Sequence, residues 1–208
     1  MSMKPFTSQF NHSDVKNLKK ETIYQGFFKL EQYSFQHSLF AGGESAVVYR
    51  EILERGDAVA VLPYDPKTNQ LVFIEQIRIG AINDNKSPWL LEVVAGMIDK
   101  DETKEQVALR EAEEEAGLIV EELIPMLNYL SSPGGTTERI HLFLGIVDTT
   151  EVGGIYGLAE EQEDIKVHVM DFDDALDLFN QGVIDNASTV ICVQWLALNK
   201  SKIDTRFK

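Results

Sequence analysis

Three glutamates on one predicted helix are the residues of this sequence whose types and spacing could do chemistry. Glu111, Glu114 and Glu115 stand at i, i+3 and i+4, so they project from one face of a helix over residues 103–116. Like charges at this spacing cost an isolated helix about 0.2–0.5 kcal/mol per pair, and no basic residue follows four positions later to offset them. The face is either a solvated acidic surface or the site of a hard divalent cation such as Mg²⁺.

The helix that carries these glutamates is predicted from its first turn. Thr103, with Gln106 three residues later, fits a capping box in which each side chain bonds to the backbone of the other residue. Arg110 lies among acidic residues, so we expect it to pair with Glu102 or Glu111 rather than with a substrate. Such a pair would fix the orientation of the glutamate that takes part in it.

The spacing of the whole segment favours the metal site. Residues 96–118 read GMIDKDETKEQVALREAEEEAGL and resemble the Nudix box, G-x5-E-x7-R-E-U-x-E-E-x-G-U with U apolar, at every defined position. The resemblance implies that two or more Mg²⁺ ions, with Mn²⁺ as a substitute, are held by four groups: the side chains of Glu111, Glu114 and Glu115 and the carbonyl of Ala95.

Other stretches of the chain resemble the bacterial ADP-ribose pyrophosphatases within that family. They read ETIYQGFF, YREILERG, IEQIRI, PWLLEVVAGMI, SSPGGTTER, GLAEEQEDI and IDNAS, and Pro133 stands where that group has its characteristic proline. The resemblance implies hydrolysis of ADP-ribose to AMP and ribose 5-phosphate by attack of water. The alternatives are hydrolysis of other ADP-sugars or dinucleotides, and a module that senses a nucleotide without cleaving it.

An acidic loop over residues 157–164 is a second candidate for catalysis. The resemblance implies that Glu161 is the general base and that Glu163 is a catalytic residue and a further metal ligand, although the two roles could be exchanged. A solvated loop would have the same composition. A glutamate base needs a raised pKa, which burial and neighbouring carboxylates favour and bound metal opposes.

Candidate substrate contacts lie mostly outside the box. The Phe27 ring could stack on adenine or belong to the core of its own subdomain, and the Arg50 guanidinium could cover the other face of the base. Glu51 could accept a hydrogen bond from the adenine amino group. Arg78 ends an apolar strand, which fits a contact with phosphate or ribose. The remaining candidate contacts are Gly96, Met97, Ser132 and Glu138.

The residue patterns predict an α+β protein. Residues 1–55 form a small N-terminal antiparallel β subdomain, and residues 56–208 form the catalytic domain, a Nudix-type α/β/α sandwich around a mixed sheet. The pattern places a turn over residues 63–69 and a loop over residues 151–164. The remaining strands are predicted at residues 58–62, 71–79, 89–95, 123–130, 140–147 and 165–170, and the helices at 103–116, 173–181 and 187–198.

Composition restricts the partners of the chain. With 34 acidic and 19 basic residues among 208, the net charge is −15, which argues against binding nucleic acid through its phosphates. No apolar run of 18 residues indicates a membrane span, and the single Cys192 fits the cytoplasm. The subfamily resemblance implies a homodimer in which exchanged N-terminal subdomains complete the partner's substrate site.

Overall fold

The structure, a computed structural model, describes residues 6–99 and 101–207, apart from the side chain of Glu161. These residues divide into two compact units. The first unit runs up to Arg55 and includes the segment Ser132–Glu138; the second contains Gly56–Ser131 and the chain from Arg139 onward. Each unit has its own sheet.

The first unit is a three-stranded antiparallel sheet, as the residue pattern predicts. Its strands lie in the order β1-β2-β3. The segment Ser132–Glu138 joins β3 through a parallel bridge between Leu53 and Thr136, and Leu53 donates its N–H to the carbonyl of Gly135. The strands are β1 (Val15–Gln25), β2 (Lys29–His37) and β3 (Val48–Glu54).

The second unit contains an eight-stranded mixed sheet. The strand order is β10-β11-β5-β4-β9-β8, with β6 paired to β5 and β7 paired to β4. The pair β4–β9 is parallel, while the other pairs are antiparallel. The strands are β4 (Ala58–Asp65), β5 (Gln70–Ile77), β6 (Trp89–Glu92), β7 (Val94–Met97), β8 (Glu122–Leu130), β9 (Arg139–Ile146), β10 (Gly154–Tyr156) and β11 (Ile165–Asp171).

Helices cover both faces of this sheet. On one face, Val107 and Ala112 of α1 (Lys104–Ala116) pack with Ile74 of β5 in one buried cluster. On the other face, α2 (Phe172–Asn180) and α3 (Ala187–Phe207) pack in a second cluster that contains Phe73 and the buried Cys192. Because neighbours along a strand face opposite sides, Phe73 and Ile74 mark the two layers. The predicted α/β/α sandwich is confirmed.

Two local predictions are wrong because they depend on which strand pairs with which. The predicted strand over 89–95 is two strands, since β6 pairs with β5 whereas β7 pairs with β4. The turn predicted over 63–69 starts too early: residues 66–69 do form a turn, but Pro63 lies inside β4, where it pairs with Gly145 on one side. On the other side, β7 pairs only as far as Val61 and β5 begins only at Tyr64, so the missing N–H of Pro63 breaks no ladder there.

The later elements differ from prediction in their lengths. The loop predicted over 151–164 contains the short strand β10 and a 3₁₀ turn at Ala159–Glu161. Helix α3 continues to Phe207, well beyond the predicted end at residue 198. No helix within the described parts of the chain is long and apolar enough to cross a membrane.

Candidate active site

Helix α1 begins and ends as its sequence predicts. Thr103 accepts a hydrogen bond from the N–H of Gln106 at 3.2 Å, and the Gln106 side chain accepts one from the N–H of Thr103 at 2.8 Å. At the other end Gly117 adopts a left-handed conformation with φ +63°, and its N–H bonds to the last turn of the helix. These two caps fix the length of the helix that presents the glutamates.

Arg110 pairs with three glutamates on and beside the helix. Its guanidinium donates to both oxygens of Glu102 at 3.1 Å, to Glu111 at 2.9 Å and to Glu114 at 2.8 Å. The predicted pairing with Glu102 or Glu111 is confirmed for both. No basic residue follows the three glutamates four positions later, but Arg110 stands four residues before Glu114 and reaches it, so part of the charge is offset from that side.

Glu115 is the most deeply buried of the box carboxylates. Its side chain extends towards β7, where Oε2 accepts a hydrogen bond from the N–H of Ala95 at 2.9 Å. The residue is only 3% exposed. Burial raises the pKa of the Glu115 carboxyl to about 8, and the charges of Glu111 and Glu163 add to the rise. The hydrogen bond from Ala95 acts in the opposite direction and lowers the pKa. Arg78 also lowers it.

Glu111 lies against the backbone of β7. A Cβ placed on Gly96 would overlap the Glu111 carboxylate, so only glycine allows this approach. Burial raises the pKa of the Glu111 carboxyl to about 7; Arg110 opposes the rise, and the charges of Glu114 and Glu163 add to it. Met97, the next predicted contact along β7, is 38% exposed.

The acidic loop folds back onto the end of α1. Gly157 donates its N–H to the carbonyl of Glu114 at 3.4 Å, and the N–H of Leu158 bonds to Oε2 of Glu163 at 3.1 Å. Gly157 has φ +104°, and a Cβ there would meet Cβ of Glu163 at 2.7 Å. Glu163 is therefore brought to the box, where its charge acts on Glu111 and Glu115. The side chain of Glu161 lies outside the described part of the structure.

Arg78 has a partner that the sequence analysis missed. Its Nε–H donates to Oε2 of Glu92, the last residue of β6, at 2.7 Å. A charged residue inside the apolar stretch WLLEVV was a signal that could have identified Glu92. Gln76, two residues before Arg78, was also missed; it is 7% exposed, and its Nε2 lacks a hydrogen-bond partner among the described residues.

The other predicted substrate residues belong to the first unit. Phe27 is 87% exposed and contacts Phe28 edge-on, so its ring is free to stack on a ligand rather than buried in a subdomain core. Arg50 and Glu51 lie on β3, both exposed.

Glu138 and Ser132 lie in the segment that joins the first unit. Glu138 is buried and lies 3.0 Å from Nε of Arg55, whose guanidinium is 5.0 Å from the centre of the Phe28 ring. Ser132 is exposed, and its carbonyl accepts two turn hydrogen bonds at 2.9 Å.

The chemistry of the box fits a divalent cation. Mg²⁺ prefers oxygen ligands, and Glu111, Glu115 and the backbone beside Gly96 meet on one side of the sheet. Burial is the main cause of the raised pKa values of Glu111 and Glu115, and the charges of neighbouring carboxylates add to it. Within the described residues, no three acidic, His or Cys side chains are already arranged around one point. Glu111 and Glu114 instead both contact Arg110.

Comparison with known proteins shows the family of the chain. A family model described as NUDIX domain matches residues 54–190, which include the whole box. An ADP-ribose pyrophosphatase of Haemophilus influenzae is 50% identical over 202 residues, covering 96% of this chain and 93% of the relative. An ADP-ribose pyrophosphatase of Escherichia coli is 52% identical over 190 residues, covering 91% of each.

Two further matches have lower sequence identity to this chain. A GDP-mannose pyrophosphatase of Cronobacter sakazakii is 35% identical over 191 residues, covering 89% of this chain and 96% of the relative. A crystal structure described as an ADP compounds hydrolase superposes with a TM-score of 0.67, covering 90% of this chain and 94% of that one. At 19% identity, the superposition shows a shared fold alone.

Proposed function

The chain belongs to the NUDIX family, and from this premise we propose that it hydrolyses the diphosphate of ADP-ribose to AMP and ribose 5-phosphate. The observation that carries the proposal is the identity of 50% or more to two ADP-ribose pyrophosphatases over more than nine-tenths of the chain. Glu111 and Glu115, which both lie against the backbone of β7, supply oxygen ligands suited to that chemistry.

The box residues have distinct roles in this proposal. Glu111, Glu114, Glu115, Glu163 and the carbonyl of Ala95 would hold two or more Mg²⁺ ions, which neutralise phosphate oxygens and lower the pKa of a bound water. Arg110 holds Glu111 and Glu114 in place through its contacts with their carboxylates.

The general base is assigned to the acidic loop. Glu161 is the first candidate, and Glu163 is the alternative because its charge already acts on the box. The loop is held by the hydrogen bonds of Gly157 and Leu158, which bring Glu163 to the end of α1.

The substrate contacts are proposed on both units. Phe27 and Arg50 would sandwich the adenine, Glu51 would accept from its amino group, and Glu138 would bind ribose hydroxyls. Arg78 would contact the diphosphate, since a guanidinium presents several N–H donors to phosphate oxygens. The neighbouring contacts would be made by Gly96, Met97 and Ser132.

Assembly as a cytoplasmic homodimer is the last part of the proposal. The first unit presents large apolar side chains to solvent: Tyr24 is 64% exposed, Phe40 81% and Tyr49 59%. Contiguous exposed apolar patches mark interaction surfaces, and we propose that these side chains form one. A partner's first unit would bury them and supply its own Phe27 to the second protomer's site.

A panel of nucleotide diphosphates tests the substrate. With Mg²⁺ in ¹⁸O-labelled water, ADP-ribose should be cleaved at least tenfold faster, in kcat/KM, than GDP-mannose or a dinucleotide, and the label should identify the attacked phosphorus. GDP-mannose is the second candidate, because the Cronobacter sakazakii relative is named for it. A preference for GDP-mannose would overturn the proposal in favour of that substrate.

Mixing two inactive variants tests the assembly. A Glu115→Gln chain lacks a box carboxylate and a Phe27→Ala chain lacks the stacking ring, so each homodimer should be weak in ADP-ribose hydrolysis. If units are exchanged, subunit mixing should restore activity towards a quarter of that of the wild type, from the heterodimers with one intact site. If the mixture were no more active than the two homodimers measured separately, the exchange of N-terminal units would be contradicted.

A further inference from the structure

The contact between Arg78 and Glu92 has features that set it apart from a surface ion pair. The Nε–Oε2 distance is 2.7 Å, and the Glu92 side chain is only 14% exposed, whereas that of Arg78 is 44% exposed. Burial raises the pKa of the Glu92 carboxyl, and the charge of Arg78 opposes that rise. A buried carboxylate with one cationic partner is strongly coupled to that partner.

The pair lies on the same side of the sheet as the box helix. In the antiparallel register of β5 and β6, Glu92 stands opposite Ile74, and residues directly opposite each other share a face. Ile74 belongs to the buried cluster that packs against α1. Because Arg78 pairs with Glu92, its guanidinium lies at that same face.

The geometry of the contact leaves donors for a ligand. Glu92 takes the Nε–H of Arg78, and the described residues provide no hydrogen-bond acceptor for either terminal nitrogen of that side chain. An arginine has five N–H groups in a rigid plane, so fixing Nε fixes the direction of the remaining four. Without Glu92, the attraction of Glu111 and Glu115 would draw the guanidinium onto carboxylates that are needed for the cation.

We propose that Glu92 is a positioning residue, which holds the Arg78 guanidinium beside the box so that its free N–H groups bind the substrate diphosphate. Glu92 also keeps Arg78 from pairing with the metal-binding glutamates. The inference rests on the proposed function for the identity of the substrate, but the coupling between the two residues can be measured separately.

A double-mutant cycle tests the coupling in the full-length protein. A charge-assisted hydrogen bond to phosphate is worth about 1.5–3 kcal/mol, so Arg78→Ala should lower kcat/KM for ADP-ribose about 10- to 100-fold. Glu92→Gln should lower it about tenfold, mainly through KM, in the wild-type background. In the Arg78→Ala background, Glu92→Gln should change kcat/KM less than twofold, because the residue that it positions is gone.

Glu75→Gln is the matched control. Glu75 also pairs across two strands, with His168 at 2.8 Å, but on the sheet face opposite the box, so kcat/KM should stay within twofold of the wild type. Melting temperatures show which variants are folded. If Glu92→Gln does not fold, Glu92→Asp replaces it, because it keeps the charge and moves the carboxylate by one methylene.

Binding of inorganic pyrophosphate, measured by calorimetry with Mg²⁺, gives a readout that does not need turnover. Glu92→Gln should weaken pyrophosphate binding in the wild-type background and leave it unchanged in the Arg78→Ala background. This result would support the proposal even if the wild-type protein did not cleave ADP-ribose. Failure of the wild type to cleave ADP-ribose would overturn the proposed function alone. Equal losses from Glu92→Gln in both backgrounds, or no loss in either, would overturn the positioning role.

Discussion

Two buried carboxylates in the second unit have opposite surroundings. Asp65, 1% exposed at the end of β4, accepts hydrogen bonds from the N–H groups of Lys67, Thr68 and Thr149 and from the Thr149 hydroxyl. Glu115, 3% exposed on α1, accepts one hydrogen bond, from the N–H of Ala95.

The pKa values of the two groups follow from this difference in donors. Burial pushes the pKa of Asp65 upwards, but the N–H and hydroxyl donors hold it below its ordinary value. At Glu115 burial prevails, and the pKa rises to about 8. Asp65 is a carboxylate whose charge several protein donors satisfy, whereas Glu115 accepts a single N–H, which fits the role of cation ligand that we propose for it. The number of donors, and not burial, is what distinguishes these two acids.

The largest effect should come from neutralising Glu115. Glu115→Gln keeps the size of the side chain and removes a metal-binding charge, so kcat/KM for ADP-ribose should fall about a thousandfold, equivalent to about 4 kcal/mol. Because burial disfavours the ionised carboxylate and Gln cannot ionise, the melting temperature without Mg²⁺ should stay the same or rise. Steady-state kinetics and thermal melts at pH 7.5 check both. Activity within tenfold of the wild type would remove Glu115 from the metal site.

The corresponding substitution of Asp65 should affect stability instead of activity. In Asp65→Asn the amide keeps one acceptor but loses the charge that three N–H groups bind, so the free energy of unfolding should fall by about 2–4 kcal/mol. For a chain of this size, that lowers the melting temperature by about 5–15 °C. The kcat/KM at 20 °C should stay within twofold of the wild type. Asp148→Asn, at an exposed turn, is the control and should lower stability far less.

The smallest effect is a change of stability with pH. The pKa values of Glu111 and Glu115, about 7 and 8, lie above the ordinary value of 4.5. The folded state therefore binds more protons than the unfolded state between pH 4.5 and 8, and stability falls as pH rises through that window. In EDTA, the melting temperature of Glu115→Gln minus that of the wild type should increase from pH 5 to pH 9. An opposite slope would show that the box carboxylates are already ionised.

Local rules were sufficient for the box helix and insufficient for its surroundings. The capping residues, the glycine at its end and the pairing of Arg110 each depend on neighbours in sequence, and the structure confirms them. The division of residues 89–97 into β6 and β7 depends on which distant strand each half meets, which no local pattern encodes. The donors around Asp65 come partly from Thr149, more than eighty residues away, so its structural role was not visible in the sequence.

Metal binding by Glu111 and Glu115 is the central claim, and it can be tested directly. Mn²⁺ can be titrated into the wild type and into a Glu111→Gln/Glu115→Gln double variant, with free Mn²⁺ followed by electron paramagnetic resonance. We expect the wild type to bind Mn²⁺, Mg²⁺ to displace it in competition, and the double variant to lose at least tenfold in affinity. Equal binding by the two proteins would contradict the assignment of these carboxylates as the metal site.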